Sequence, residues 1–282
     1  MNETRREMMK PQTLNIAAYH FVTINDPAAL RETLLQAAQK LALRGTVLIA
    51  EEGINLFLAG SDAAIESFVN QLTSDERFAP IEIKRSWSDN QPFKKLLVKV
   101  KREIIRMNHP AIKPSFDPKA PQRAPAVDAK TLKRWLDRGL DDAGRPVVTL
   151  DTRNAFEVDY GTFEGAIDWR IDKFSDFPSA FLAHKHELED KTVVSFCTGG
   201  IRCEKAAIYM REAGLANVYQ LDGGILKYFE ETQQEATHNH YNGACFVFDK
   251  REALGGDLTP QDLGSASRFA VAGSPAQPAH PT

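Results

Sequence analysis

The stretch VVSFCTGGIRCEKAAIYMREAG, residues 193–214, decides how the second half of the chain folds. It opens with apolar and β-branched residues, which predict a buried strand over 192–197. A short loop containing two glycines follows, and apolar residues at helical spacing then predict a helix over 203–213. Cys197 is therefore the first residue to leave the strand. Ligands of parallel α/β sheets bind at the carboxyl ends of the strands, so this cysteine lies where a functional group is expected.

Several features around Cys197 favour an ionised, reactive thiol. Small residues follow it, so backbone N–H groups can turn toward the sulfur. The next helix points its N-terminus at the same place, and Arg202 adds a positive charge. A small core cysteine before a turn is the alternative, and it needs none of these features. We predict Cys197 and Arg202 as the catalytic pair. The predicted active-site loop also contains Thr198, Gly199, Gly200, Ile201 and Cys203.

The length of this loop separates two kinds of anion chemistry. Cysteine phosphatases use C-x5-R, whereas here the arginine comes one residue sooner, as C-x4-R. A shorter loop suits a sulfur group carried on the cysteine better than a full tetrahedral phosphate. The spacing therefore disfavours a phosphatase.

The other segments of the second half alternate between short apolar strands and helices, a pattern typical of a parallel α/β sheet. Strands are predicted at 146–153, 192–197 and 217–223, and helices at 131–140, 177–188, 203–213 and 225–231. Asp151 ends the first of these strands, at the same edge of the sheet as Cys197.

The first half of the chain has the element order β-α-β-β-α-β with one added strand, which predicts a ferredoxin-like split β-α-β sheet. Asp26-Pro27 and Ser61-Asp62 are typical starts for its two helices. The predicted strands are LNIAAYHFVTI (14–24), TVLIA (46–50), INLFLAG (54–60), IEIKRSW (81–87) and FKKLLVKVKREIIRM (93–107).

The last of these strands carries a basic face. Alternation predicts that Leu96, Val98 and Val100 point into the core, whereas the intervening lysines point outward. The window 81–114 holds nine Lys or Arg against three acids in a chain of net charge −3. This asymmetry favours an anionic partner, and an ordinary solvated face is the alternative. The candidate RNA-binding residues are Lys95, Lys99, Lys101 and Arg102.

Composition divides the chain into five parts. The predicted boundaries are a ferredoxin-like domain at 1–107, a proline-rich linker at 108–127, an α/β domain at 128–235, an extension packed on that domain at 236–256 and a disordered tail at 257–282.

Bulk properties predict a soluble cytoplasmic protein. The 282 residues are 43% hydrophobic and 26% charged, which supplies ample material for cores. We expect neither a signal peptide nor a membrane span, since no apolar run approaches the required length. Three cysteines favour a reducing compartment over a disulfide framework. Nothing in the composition sets the oligomeric state.

The loop CTGGIR resembles the active-site loop of the rhodanese fold. DTRNAFEVDYGTFEGAI (151–167) and LDGGI (221–225) are further marks of that fold. FCTGGIRCEKA (196–206), GACFVFDKR (243–251), GTVLIAEEGIN (45–55) and KREII (101–105) together resemble the bacterial tRNA uridine(34) hydroxylase family. The resemblance covers roughly residues 14–255. Two departures stand out: Leu56-Phe57 replaces the usual Gly-Thr after EGIN, and the cysteine-rich tail of the longest members is missing.

The resemblance implies a ferredoxin-like (acylphosphatase-like) α+β domain followed by a rhodanese-like α/β domain with a central parallel sheet. It also implies an oxidoreductase, a monooxygenase that hydroxylates C5 of the wobble uridine in the tRNA anticodon loop. O2 is then a co-substrate, and an unidentified donor supplies electrons. Cys197 is the thiolate in this hypothesis, and Asp151 and Arg153 support its loop by hydrogen bonds and salt bridges. Two routes stay open: addition of the thiolate to C6 of uracil, or oxygen delivery from a cysteine persulfide or peroxidised sulfur.

Two other functions use parts of the same pattern. A sulfurtransferase would carry sulfane sulfur on a Cys197 persulfide, but it would not need the attached basic domain. A non-catalytic RNA-binding module would not need a reactive loop.

The remaining cysteines and histidines add no certain site. Cys203 either resolves an oxidised Cys197 or packs at the helix start, and Cys245 is expected to be structural. The pairs His184-x-His186 and His238-x-His240 have no cysteine or carboxylate at metal-ligand spacing, so we predict no metal site. No cofactor-binding motif is identifiable.

Overall fold

The computed structural model describes residues 12–117, 122–233 and 238–261. Its N-terminal part is one five-stranded sheet covered on one face by two helices. The strands are β1 (Thr13–Phe21), β2 (Arg44–Ala50), β3 (Gly53–Gly60), β4 (Lys84–Ser88) and β5 (Leu96–Val100), and the helices are α1 (Pro27–Lys40) and α2 (Asp62–Thr73). The strand order is β4-β1-β3-β2-β5, with β5 parallel to β2 and the other pairs antiparallel. The predicted ferredoxin-like fold is confirmed.

Local sequence explains both helix starts and the burial of the sheet. The Asp26 carboxylate accepts the Ala29 N–H at 3.0 Å, and the Ser61 hydroxyl accepts the Ala64 N–H. Alternate apolar residues of the strands pack beneath the helices, as period-two patterning requires. The opposite face of the sheet is left to meet the second half of the chain.

Three predictions for the end of this domain were wrong. The last strand stops at Val100 instead of continuing to residue 107, because the N–H groups of Ile104 and Met107 bind the carboxylates of Glu52 and Glu103 rather than a neighbouring strand. Val100, expected in the core, is 46% exposed, since the edge strand β5 extends beyond the core formed with the helices. β4 begins at residue 84 rather than 81.

The second half contains a four-stranded parallel sheet with helices around it. Its remaining elements are β6 (Ala126–Val127), α3 (Ala129–Arg138), β7 (Val147–Asp151), α4 (Ala155–Val158), β8 (Gly161–Phe163), α5 (Phe177–His184), β9 (Thr192–Phe196), α6 (Ile201–Glu212), β10 (Val218–Leu221), α7 (Gly224–Thr232), β11 (Tyr241–Gly243), β12 (Cys245–Phe246) and β13 (Ala253–Leu254). The parallel sheet has the order β6-β10-β9-β7, while β8 pairs with β11 and β12 with β13. The predicted α/β class is confirmed. No helix among the described residues is long and apolar enough to cross a bilayer.

Two segments at the predicted boundaries are more ordered than composition indicates. Residues 126–127, predicted as linker, form β6 and pair with β10. Residues 257–261, predicted as the start of a disordered tail, fold back on β13, where Gln261 N–H donates to Ala253 O at 3.0 Å. Leu258 packs against a core cluster of the second domain. The rest of the predicted tail, 262–282, lies outside the described residues.

The two halves meet through an apolar patch and buried ion pairs. Phe21, Ala50, Ile104 and Ile201 form a buried cluster that includes residues of both halves. Beside it the ammonium of Lys205 on α6 bridges two carboxylates of the first half, Glu52 at 2.8 Å and Glu103 at 2.7 Å. The sheet face without helices is thereby held against the carboxyl ends of the parallel strands.

Candidate active site

The cysteine loop lies directly beyond β9, at the centre of the parallel sheet. All five residues of β9 are buried, so the strand fixes the position of the residue that follows it. The first turn of α7 fixes the other side, because Ile225 and Leu226 donate their N–H groups to the carbonyls of Cys197 and Thr198 at 3.0 and 3.1 Å. The loop therefore connects two rigid elements.

Two glycines make this close packing possible. Gly200 has φ +101°, and a Cβ placed on it would lie 2.8 Å from the hydroxyl oxygen of Tyr19. Gly224 has φ +67°, and its Cβ would overlap the carbonyl oxygen of Cys197. Positive φ and missing side chains at these positions let two backbone segments and the first domain converge on one sulfur.

The surroundings of Cys197 favour the thiolate. The N–H of Gly200 donates to its sulfur at 3.1 Å. Burial alone would raise the pKa of this thiol. That effect is outweighed by a hydrogen bond from Cys203, the charge of Arg202 and the N–H groups of Arg202 and Gly200, which together lower the pKa to about 6. The direction of this shift favours the thiolate over the thiol.

The thiol of Cys203 is favoured in its protonated form, in contrast to that of Cys197. It is fully buried, and its sulfur lies 3.7 Å from the Thr152 hydroxyl. Burial and then its hydrogen bond to Cys197 raise the pKa of Cys203 well above its ordinary range. Cys203 therefore stays protonated and can donate a hydrogen bond to the Cys197 thiolate.

The side chain of Arg202 is oriented by a carboxylate that was not among the predicted site residues, although it lies in the motif 151–167. Glu157, fully buried at the end of a short turn of helix, binds the guanidinium through two oxygens at 2.7 and 2.8 Å. Arg202 is therefore a fixed positive charge beside the sulfur, with much of its hydrogen-bonding capacity already used. α6 begins at Ile201, slightly earlier than predicted, which places the Arg202 N–H in the helix N-terminus that faces the thiolate.

Asp151 and Arg153 lie behind this arrangement. They form a fully buried ion pair at 2.6 Å, and the arginine also donates to the carbonyl of Gly161 at 2.6 Å and to that of Glu157 at 3.4 Å. Their described contacts thus reach the loop through Glu157, which holds Arg202. Support of the cysteine loop by this pair stays a prediction.

A cavity of about 240 Å³ opens beside Cys197, between the two domains. Its lining combines the cysteine loop, the helix-free face of the first sheet and the segment after β12. Lys84 reaches in from β4, and its ammonium donates to the carbonyls of Gly199, at 2.7 Å, and Gly223. Tyr19 on β1 lies against the loop and donates to Glu204 at 3.4 Å. No local pattern predicts these two residues at the site, since over 100 residues separate each from its partner there.

Aromatic rings form part of the cavity wall. Phe57, Phe116 and Phe248 all line it. Phe248 is 52% exposed, and its ring centre lies 5.9 Å from the guanidinium carbon of Arg202. Phe57 is one of the two residues that depart from the usual Gly-Thr after EGIN. These rings are flat apolar surfaces in the same cavity as Cys197.

The predicted RNA-binding lysines are exposed, at the far edge of the first sheet. Register places Lys99 in the same row as Leu48, Asn55 and Tyr19, so it lies on the face that lines the cavity. Four strand spacings separate β5 from β4, roughly 19 Å at about 4.8 Å each. The structure leaves Lys95, Lys99, Lys101 and Arg102 exposed and does not bring them to the cysteine, so their contact with RNA stays a prediction.

The remaining candidates lie away from the sulfur or are chemically inert. Burial raises the pKa of Cys245 to about 12. The prediction of no metal site rested on sequence spacing, but the fold brings Glu164 to His238 and His240 with possible ligand atoms within 4.8 Å. His238 binds the carboxylate of Glu164 at 2.8 Å, and His240 binds that of Asp137 at 2.6 Å. None of these four residues lines the cavity.

Comparison with known proteins supports the class that fold and site define. Residues 13–104 match the UPF0176 acylphosphatase like domain, and residues 128–231 match the Rhodanese-like domain. The chain is a rhodanese-type protein with an acylphosphatase-like domain ahead of the cysteine loop.

Whole-chain relatives narrow this class. The chain is 63% identical over 245 residues to tRNA uridine(34) hydroxylase of Delftia acidovorans, which covers 87% of this chain and 90% of the relative. It is 61% identical to the protein of the same name from Variovorax paradoxus, over 92% and 95% of the two chains. It is 62% identical to the protein of the same name from Bordetella avium, over 88% of this chain and 98% of that relative. The chain belongs to the tRNA uridine(34) hydroxylase family, and the predicted resemblance is confirmed.

Proposed function

We propose that this protein hydroxylates C5 of the wobble uridine of tRNA, with Cys197 as the reactive group. Two relatives that are named tRNA uridine(34) hydroxylase are 63% and 61% identical to this chain, over 90% and 95% of their own length. The observation that carries the proposal within the chain is the Cys197 thiolate facing an interdomain cavity. Dioxygen would be the co-substrate, and a separate donor would supply the electrons.

The cavity suits one base of an RNA loop. Its volume of about 240 Å³ lies below the roughly 300–1,000 Å³ of pockets for drug-sized ligands. A wobble base must leave its stack to enter such a pocket, and single-stranded bases are commonly held against aromatic side chains. Phe57, Phe116 and Phe248 would supply that surface, since they line the same cavity as Cys197.

The first domain has two roles in this proposal. Its helix-free face closes the reaction cavity, and its basic edge strand holds phosphates of the same tRNA. A small-molecule sulfurtransferase would need neither. This division of roles explains why the two domains are joined by buried ion pairs rather than only by a linker.

Mass spectrometry of tRNA nucleosides tests the proposal. A strain lacking the gene should lose a C5-oxygenated uridine, and the wild-type gene should restore it. Cys197→Ser should fail to restore it while the purified variant still binds tRNA with nearly unchanged affinity. Full restoration by Cys197→Ser would rule out the assigned role of the sulfur.

The same strains separate hydroxylation from sulfur transfer. A sulfurtransferase would leave the oxygenated nucleoside unchanged in the deletion strain. The purified protein would then transfer sulfur from thiosulfate to cyanide in a Cys197-dependent reaction. We expect the nucleoside to be lost.

A further inference from the structure

Five cationic side chains line the cavity, and four of them are ion-paired with carboxylates. The pairs are Arg85 with Glu66, Arg123 with Glu204, Arg202 with Glu157, and Arg251 with Asp249. Within the described part of the chain, Lys84 is the cavity cation without an ion-paired carboxylate. Among the residues that the structure describes, its side chain bonds only to backbone carbonyl oxygens.

The position of Lys84 directs the remaining capacity of its ammonium toward the cavity. Register pairs Lys84 with Ala17 on the helix-free face of the first sheet. Two of its three N–H groups are used by the carbonyls of Gly199 and Gly223, which flank the thiolate from the loop and from the start of α7. One N–H is left for a ligand, and Lys84 lines the same cavity as Cys197. The Nζ atom also lies 3.7 Å from where a Cβ on Gly199 would be, so the ammonium packs directly on the loop.

Stability alone does not account for this arrangement. A partly buried ammonium without a carboxylate loses hydration that carbonyl groups replace only in part. Desolvation accordingly lowers the pKa of Lys84, although the nearby acids and Cys197 partly oppose the change. Such costs are typical of functional sites.

We propose that Lys84 is a catalytic residue that binds O4 of the target uracil and stabilises the charge formed when the Cys197 sulfur adds to C6. This inference rests on the proposed function and chooses between its two routes. In the addition, an S–C6 bond forms and the C5=C6 electron pair moves through C4 onto O4. No group leaves and no oxidant is consumed. The resulting enolate makes C5 electron-rich, and its negative oxygen lies against the free N–H of Lys84.

Hydrogen exchange at C5 tests this step without oxygen. The substrate is an anticodon stem-loop whose wobble uridine carries deuterium at C5, incubated anaerobically in ordinary water with saturating protein. Reversible addition protonates C5 from solvent, and loss of deuterium with departure of the thiolate restores the uracil. Mass spectrometry follows the deuterium content. The wild-type protein should exchange it, and Cys197→Ala should not.

The Lys84 variants then address the assignment. Lys84→Met should slow exchange by about 100-fold at saturating RNA, the typical effect of losing one oxyanion donor. Lys84→Arg should recover part of the rate. Lys185→Met is the matched control, since Lys185 also donates to a backbone carbonyl, that of Ala213 at 2.7 Å, and does not line the cavity. That variant should exchange at nearly the wild-type rate.

Each outcome decides a separate point. Exchange by Lys84→Met at the wild-type rate would overturn the role of Lys84. If Lys84→Met unfolds, Lys84→Gln and Lys84→Arg are compared with the wild-type protein instead. Equal exchange rates for these three proteins would also overturn the role of Lys84. If the wild-type gene restores the C5-oxygenated uridine in the deletion strain yet the purified protein shows no anaerobic exchange, the addition route is wrong while the proposed function stands. Failure of the wild-type gene to restore that nucleoside would count against the proposed function itself.

Discussion

At the scale of single residues, the chemistry depends on two cysteines that hold opposite protonation states. Cys197 and Cys203 are six positions apart and both buried, yet the first has a lowered pKa and the second a raised one. Burial raises the pKa of both thiols, and the hydrogen bond between them then lowers the pKa of Cys197 and raises that of Cys203, because a protonated donor beside a thiolate stabilises the charged form. Cys203 is thereby a partner of the reactive sulfur even if no bond ever forms between the two.

The role of Cys203 can be measured by the reactivity of Cys197. In the wild-type protein, the rate of alkylation by iodoacetamide should rise with pH around a midpoint near 6. Cys203→Ala removes the donor, so the midpoint should move up by about one unit, the scale expected for a hydrogen bond to a charged group. Cys203→Ser keeps a donor and should stay near the wild-type midpoint. Equal midpoints in all three proteins would show that the hydrogen bond does not set the pKa.

At the scale of elements, the start of α7 fixes the cysteine loop as firmly as β9 does. Gly224→Ala adds a Cβ that overlaps the carbonyl oxygen of Cys197, so the loop and the helix must move apart. We expect a loss of about 2 kcal/mol or more in unfolding free energy and a thiol of higher pKa. Gly139→Ala is the control, since its φ of +69° is nearly the same but a Cβ there meets nothing within 4 Å.

Urea unfolding and the alkylation profile together separate the two effects in these glycine variants. Both variants bear the cost of a side chain at positive φ, and only Gly224→Ala bears the overlap. Similar losses in both would mean that the loop accommodates the added carbon and that close packing on Cys197 is not required.

The basic edge strand β5 supports a prediction about binding. Lys95, Lys99 and Lys101 replaced together by Glu should weaken tRNA binding at least tenfold at moderate salt. The plot of log affinity against log salt should also become shallower by about 2. Reversal of three exposed lysines elsewhere (Lys40, Lys130 and Lys173) is the control for total charge. If both triple variants lose affinity equally, the RNA contacts lie elsewhere.

Local patterns predicted most elements of the fold but not the contacts that complete the site. Period-two alternation and capping residues such as Asp26 and Ser61 are local signals, and the strands and helices they indicate are present. The prediction failed after Val100, where the chain satisfies its N–H groups with Glu52 and Glu103, carboxylates that no pattern assigns. Cys197 and its loop were found because a strand, two glycines and an arginine are adjacent in sequence.

Residues that reach the loop from a distance had no such signal. Lys84 binds a carbonyl 115 positions away, and its strand looks like any other basic strand. Glu157 was visible in a motif, but its partner Arg202 is 45 positions further on. A single sequence contains no information on which of its many charged residues converge, since that follows from how two domains dock.

At the scale of the whole molecule, docking of the two domains creates the cavity. Lys205 is nearly inaccessible and lies between Glu52 and Glu103, whose side chains are 12% and 16% exposed. This buried triad, the apolar patch around Ile201 and the Lys84 contacts hold the first sheet over the thiolate. A change in docking therefore alters the reaction site without any substitution in it.

Lys205→Met tests how strongly the domains are coupled. The variant leaves two carboxylates largely buried without their cation, at an expected cost of about 3–5 kcal/mol at neutral pH. We expect the thermal transition of the wild-type protein to move to lower temperature and to separate into two. This loss of unfolding free energy should also depend on pH. Without Lys205, the folded-state pKa values of both carboxyls rise above their unfolded values, so protonation favours the folded variant as pH falls.

The difference in unfolding free energy between wild type and Lys205→Met should therefore shrink as pH is lowered from 8 toward 5. In the wild-type protein, burial raises the pKa of Glu52 despite the bond to Lys205, whereas the bonds to Glu103 lower its pKa in spite of burial. Glu52 is thus the carboxyl whose charge is already disfavoured, and Glu52→Gln in the Lys205→Met background should recover more stability than Glu103→Gln. Calorimetry of the four proteins at two pH values measures both effects. A deficit that is constant with pH, or a larger recovery with Glu103→Gln, would mean that desolvated carboxylates are not what links the domains.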